Sequence, residues 1–137
     1  THRYTLFPYT TLFRSHTNKY LQWVEPLPEA LRRRLRFVYN TGCHNKGQGE
    51  DWLALGADAY IGHPGESQSP FFYFFLLRHW LHGATLAEAM ETGNRGMETK
   101  FRQVERFSGG RYDAGQALRE SVASCLGNDR LRLEDLP

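Results

Sequence analysis

Two short apolar runs, Leu35–Asn40 and Ala57–Ile61, each lead straight into a glycine-rich loop, and that repeat constrains the chain more than any other feature. Phe37, Val38 and Tyr39 are consecutive large apolar residues, the pattern of a strand buried on both faces. The first run opens into Thr41–Asp51, with Gly42, Gly47 and Gly49. The second opens into Gly62–Ser69, rich in Gly, Pro and Ser. Helical signals stand between and after them. Pro28 and Glu29 open a short helix to Arg34. Trp52–Leu55 reads as a helical turn closed by Gly56. Ser69 with Pro70 starts a helix that runs to His82 and stops at Gly83. Thr85 and Glu88 form a capping-box signature. The helix behind them is expected to run to about Glu91, break over Gly93–Gly96 and resume over Met97–Phe107. Asp113–Ser124 reads as a further helix and Leu131–Leu133 as a last short strand.

Strand, loop, helix, strand, loop, helix is the order of an α/β unit, with a mostly parallel sheet and flanking helices. Ligands of such sheets bind beyond the carboxyl ends of the strands. Both glycine-rich loops therefore open on one sheet edge. They carry Cys43, His44, Asn45, His63, Glu66 and Ser67.

The first fifteen residues are set apart from this reading. Thr5 to Ser15 match, codon by codon, a translation of a common short-read sequencing primer, and Thr1 to Tyr4 fit the bases just upstream of it. Residues 1–15 are therefore expected to be foreign to the fold, with the native domain in 16–137. The whole chain carries 17 Lys and Arg against 15 Asp and Glu; setting aside Arg3 and Arg14 leaves 15 against 15. A neutral remainder gives no electrostatic footprint for nucleic acid. The cluster Arg32, Arg33, Arg34, Arg36 sits where a helix ends, where cations are favoured. No membrane partner is expected either, because the longest apolar run, Phe71–Leu77, is far short of a span. Cys43 and Cys125 stand in different contexts and are read as free thiols.

Cys43 follows a buried strand in Asn40-Thr41-Gly42-Cys43-His44-Asn45. A thiol there is ringed by backbone N–H groups, which favour the reactive thiolate. Gly42 beside it lets backbone and substrate approach closely. The competing reading is a buried cysteine packed as a small hydrophobe. His63 ends the neighbouring strand, from which its ring could approach Cys43 as a base or serve as a pocket residue. His79 and His82 have the spacing of a metal pair but lack the glutamate of a zincin, so a helix surface is the simpler reading. Cys43, His44 and His63 could be drawn as zinc ligands, but no second spaced pair supports a metal.

This arrangement resembles the caspase-like (clan CD) cysteine peptidases, the group holding caspases, gingipains, clostripain, separase and bacterial CHAT-domain peptidases. The resemblance rests on four segments in order. The strand Phe37–Tyr39 leads to Gly42 and Cys43. A Gly-Ala-rich turn and strand follow at Gly56-Ala57-Asp58-Ala59-Tyr60-Ile61-Gly62. Next comes Gly83-Ala84-Thr85-Leu86-Ala87-Glu88-Ala89. The last is Cys125-Leu126-Gly127-Asn128-Asp129-Arg130-Leu131-Arg132-Leu133, which lacks the proline many bacterial members carry. The resemblance implies peptide hydrolysis with Cys43 as nucleophile, Gly42 at the oxyanion, a peptide or protein substrate and no cofactor. It gives Glu66 the role of reading a basic P1 side chain, against a solvated loop carboxylate. The family's base, usually His-Gly after the preceding strand, has no match here, since neither His2 nor His16 follows a hydrophobic strand. The chain is accordingly expected to be the C-terminal half of such a domain, lacking the N-terminal half and inactive alone. The alternatives are a non-catalytic caspase-like interaction module and, more distantly, a flavodoxin-like binding domain.

Overall fold

The structure is a computed structural model that describes residues 20–67 and 69–136, Ser69 by its backbone alone. The primer reading of residues 1–15, the native start at His16 and the Ser69 cap lie outside the described residues.

After a helical turn over residues 20–24 come α1 (Glu29–Arg32), β1 (Phe37–Tyr39), a 3-10 turn (Lys46–Gln48), α2 (Gly49–Ala54) and β2 (Ala59–Gly62). They are followed by α3 (Ser69–Trp80), α4 (Leu86–Phe107), α5 (Ala114–Ser121), β3 (Ser124–Gly127) and a final 3-10 turn (Leu133–Asp135). The unit is α/β, as expected. The strands form one sheet in the order β1-β2-β3. β1 and β2 run parallel, with Phe37 opposite Ala59 and Tyr39 opposite Ile61. β3 runs antiparallel to β2, with Cys125 opposite Ile61. This corrects two expectations. The described sheet is mixed rather than mostly parallel, and its last strand is Ser124–Gly127, not Leu131–Leu133. Leu131 alternates with arginines like a strand residue. Its side chain is instead buried, and its carbonyl accepts from the Leu86 N–H at 2.9 Å and the Trp80 indole at 3.2 Å. It plugs the junction of α3 and α4.

Period-two alternation sorts the sheet onto two apolar layers. Ala59 and Ile61, with Phe37 and Tyr39 at their side, face a core built from Phe72, Leu76 and Trp80 of α3, Leu86, Met97 and Phe101 of α4, and Ala114 and Ala117 of α5. Tyr60 and Val38 face the opposite way, onto Trp52, Ala57, Leu53 and Leu35, with Leu21 and Val24 from the first helical turn. Helices thus cover both faces and leave β1 at an edge.

The capping box forms as read: the Glu88 N–H donates to Thr85 Oγ1 at 3.3 Å and the Thr85 N–H donates to Glu88 Oε2 at 2.8 Å. The expected break at Gly93–Gly96 does not occur. α4 is continuous over Leu86–Phe107 because these glycines serve packing. A Cβ on Gly93 would lie 2.8 Å from the Phe72 ring, and one on Gly96 would overlap the Phe75 ring. Absent side chains let α3 press its phenylalanines onto the α4 backbone, which outweighs the cost of about 1 kcal/mol per helical glycine.

Candidate functional site

The loops after β1 and β2 meet at the carboxyl edge of the sheet, and one side chain joins them. Asn45 is almost wholly buried. Its Nδ2 donates to the carbonyls of Asn40 at 2.9 Å and Gly42 at 2.6 Å, and its Oδ1 accepts the His63 N–H at 2.8 Å. Its own N–H, and that of Lys46, donate to the His63 carbonyl at 3.0 Å. The Tyr60 hydroxyl donates to the Asn45 carbonyl at 2.8 Å. Asn40 Oδ1 accepts the Gly42 N–H at 3.0 Å, an Asx turn that starts the loop. His44 completes it with φ +52, a left-handed conformation unusual for a residue with a side chain.

Cys43 sits on this turn, half-buried and free. Its Sγ accepts the Ser67 backbone N–H at 3.4 Å, across the gap between the loops. The Ser67 hydroxyl is buried and has no hydrogen-bond partner among the described residues. A half-buried thiol at this edge that accepts one backbone N–H can present its sulfur to an incoming carbonyl. Gly42 is exposed next to it. Glu66 is exposed on the same loop as Ser67, and its carbonyl accepts the Ser121 hydroxyl at 2.6 Å.

His63 is completely buried. Its Nδ1 lies 2.6 Å from the Ser121 carbonyl, one of the free carbonyls at the end of α5, and its Nε2 lies 3.0 Å from the Tyr39 hydroxyl. A carbonyl oxygen only accepts, so Nδ1 carries the hydrogen and Nε2 accepts from Tyr39 in the neutral ring. Both ring nitrogens are therefore committed, and no hydrogen bond joins His63 to Cys43 among the described residues. Burial lowers the His63 pKa, partly offset by the Ser121 carbonyl. Burial raises the Tyr39 hydroxyl's pKa, and Tyr73 adds to the effect. Burial also pushes the second thiol, Cys125, up to about 11, with Asp129 contributing.

Of the residues singled out from sequence, the fold brings Cys43, Gly42, His63 and Glu66 to one edge. It does not join Cys43 to His63. His79 and His82 lie at the end of α3 and just beyond it, and among the described residues no three His, Cys, Asp or Glu side chains cluster as metal ligands. No described helix is long and apolar enough to cross a membrane. Sequence reasoning underrated Asn45, Tyr39 and Ser121. The paired asparagines Asn40 and Asn45 flanking the Gly42-Cys43 turn were the available signal, since both are natural turn builders.

No family model, curated protein or solved structure matches the chain.

Proposed function

We propose that Cys43 is the nucleophile of a caspase-like cysteine peptidase, with its general base supplied from outside residues 20–136 and His63 serving as a pillar beneath the nucleophile loop. The observation that carries this reading is the placement of the Cys43 thiol at the carboxyl end of β1, on a turn held open by Asn45 and against the Ser67 N–H of the adjacent loop. Three further features fit it. The Gly56–Gly62 segment contains β2, the Gly83–Ala89 segment starts α4 with its capping box, and the Cys125–Leu133 segment begins within β3. In this reading Cys43 Sγ attacks the scissile carbonyl, the oxyanion falls to a backbone N–H beside Gly42 other than those of Gly42 and His44, which donate to Asn40 Oδ1 and the Gly65 carbonyl, and Glu66 receives a basic P1 side chain. No cofactor takes part. The commitment of both His63 nitrogens favours the second reading for the isolated chain, a protein-binding module that does not turn over substrate.

An activated ester tests the reading without needing a base. Thiolate attack on an N-acyl-arginine p-nitrophenyl ester forms a thioester and releases p-nitrophenolate. The expected result is a stoichiometric burst with no turnover, lost in Cys43→Ala. Its preference for the arginine over the leucine ester should be lost in Glu66→Gln. A burst unchanged in Cys43→Ala would overturn the assignment.

A further inference from the structure

β1 is an edge strand, and among the described residues no strand pairs with its outer side. The Ala59 N–H donates to the Arg36 carbonyl at 3.2 Å and the Asn40 N–H to the Ile61 carbonyl at 3.0 Å. Alternation along a parallel ladder then turns the N–H and C=O groups of Phe37 and Tyr39 outward. Natural sheet edges are guarded by charges or prolines, and Phe37-Val38-Tyr39 carries neither.

An open groove of about 540 Å³ runs beside this edge, with no charged residue in its lining. Phe37 and Tyr39 form its sheet side, and Tyr73, Leu77 and Trp80 of α3 its helix side. The apolar face of the helix continues past the groove. Tyr73, Leu77 and Leu81 follow one another four residues apart, with Phe74 one turn from Leu77. Tyr73, Phe74 and Leu81 are 46%, 59% and 63% exposed. α3 thus sends Phe72 and Leu76 into the core and presents a second apolar face toward the edge.

We propose that this edge and groove are the interface of a homodimer, in which β1 pairs antiparallel with β1 of a second copy about a two-fold axis at Val38. In that register Phe37 of one copy lies opposite Tyr39 of the other, and their outward groups exchange reciprocal pairs of hydrogen bonds on both sides of the axis. The strand satisfies itself, as a two-fold contact requires, and pairing closes the open edge instead of propagating it. The facing Phe37 and Tyr39 rings stack on the groove side of the joined sheet. Both α3 faces lie on that same side, where Tyr73, Phe74 and Leu81 leave water. Two such faces bury on the order of 1,000 Å² of mostly apolar surface, the lower end of what a specific dimer needs. A second copy therefore supplies both things this surface lacks, a strand and an apolar cover. The interface does not involve Cys43 and stands whether or not the peptidase reading does.

Velocity sedimentation of the whole chain from about 1 to 100 µM is expected to show a reversible monomer–dimer equilibrium. Tyr73→Glu sets like charges near the axis and should weaken the dimer tenfold or more. Phe107→Glu, at the end of α4 where the ring is 91% exposed, should leave it unchanged. Val38→Cys reads the register. Facing residues of a non-hydrogen-bonded pair have Cα atoms about 4.5 Å apart, within reach of a disulfide. Mild oxidation should join two chains at position 38, as peptide mass spectrometry would show. A chain that stays monomeric throughout would overturn the proposal, whether its Phe37 and Tyr39 amides exchange freely or are protected by residues 1–19 of the same chain. Open-ended oligomers, a dimer weakened equally by both glutamates, or a Val38→Cys dimer left unjoined at position 38 would also overturn it. Sedimentation of the unmodified chain decides the first point even if a variant fails to fold.

Discussion

Replacing Asn45 with alanine removes the clasp that sets both loops. Three hydrogen bonds go with it: two donated to Asn40 and Gly42 and one accepted from His63. The His63 N–H is buried and loses its acceptor, which costs about 1–3 kcal/mol. The carbonyls of Asn40 and Gly42 lie nearer the surface, where water can replace the amide. Each lost bond there costs toward the low end of about 0.5–1.5 kcal/mol. The sum, with a small cavity, is about 2–4 kcal/mol. Urea unfolding followed by far-ultraviolet circular dichroism reads this as a lower midpoint at unchanged slope. Thiol titration with a disulfide reagent should show Cys43 becoming more accessible, because the turn carrying it is no longer fixed. A loss below about 1 kcal/mol would show that Asn45 does not hold the loops, and the reasoning built on its bonds would fail.

Glycine-to-alanine changes in two helices should differ in size. Gly96→Ala pushes a methyl into the Phe75 ring and should destabilise by about 1–3 kcal/mol, whereas Gly115→Ala brings its methyl to 3.2 Å from Asp113 Oδ1, the oxygen that caps α5 by accepting the Gln116 N–H, so strain on the cap offsets the helix-propensity gain and stability should change by less than about 1 kcal/mol; urea midpoints of both variants check this. The His63 pKa is lowered in the folded chain, so the unfolded chain binds more protons, and stability is full above about pH 6.5 and falls as pH drops below it. The urea midpoint should therefore be lower at pH 5.5 than at pH 7.5, with a smaller difference in His63→Gln; a midpoint that holds or rises on acidification would contradict the buried neutral ring.

β2 was readable because burial on both faces leaves a continuous apolar run, Ala59-Tyr60-Ile61; Phe37-Val38-Tyr39 reads the same way and is a strand, but at the sheet edge its three residues are only half-buried, not buried on both faces as expected. The α4 start was readable because Thr85 and Glu88 signal locally. What failed depended on distant partners. Gly93 and Gly96 read as breakers since nothing local reveals that Phe72 and Phe75 pack over them. Ser124–Gly127 carries little strand signal of its own and pairs because β2 offers it an edge. Arg130–Leu133 alternates like a strand but lies against the α3–α4 junction, where Leu131 is taken up by packing. In the site, the position of Cys43 followed from the strand-loop order. The direction of the His63 ring did not, because it is fixed by Ser121 at the end of α5, far along the chain.

The pH dependence of iodoacetamide labelling at Cys43, repeated in His63→Gln, tests most directly whether His63 is a pillar rather than the partner of the nucleophile. Cys125 interferes little, since burial pushes its thiol up to about 11, and mass spectrometry of the labelled peptides separates the two sites. With both His63 nitrogens held by Tyr39 and Ser121, the account predicts a pH profile of Cys43 labelling that is the same in His63→Gln as in the unmodified chain. A fast plateau below about pH 7 that disappears in His63→Gln would reveal a thiolate–imidazolium pair inside this chain and contradict the account.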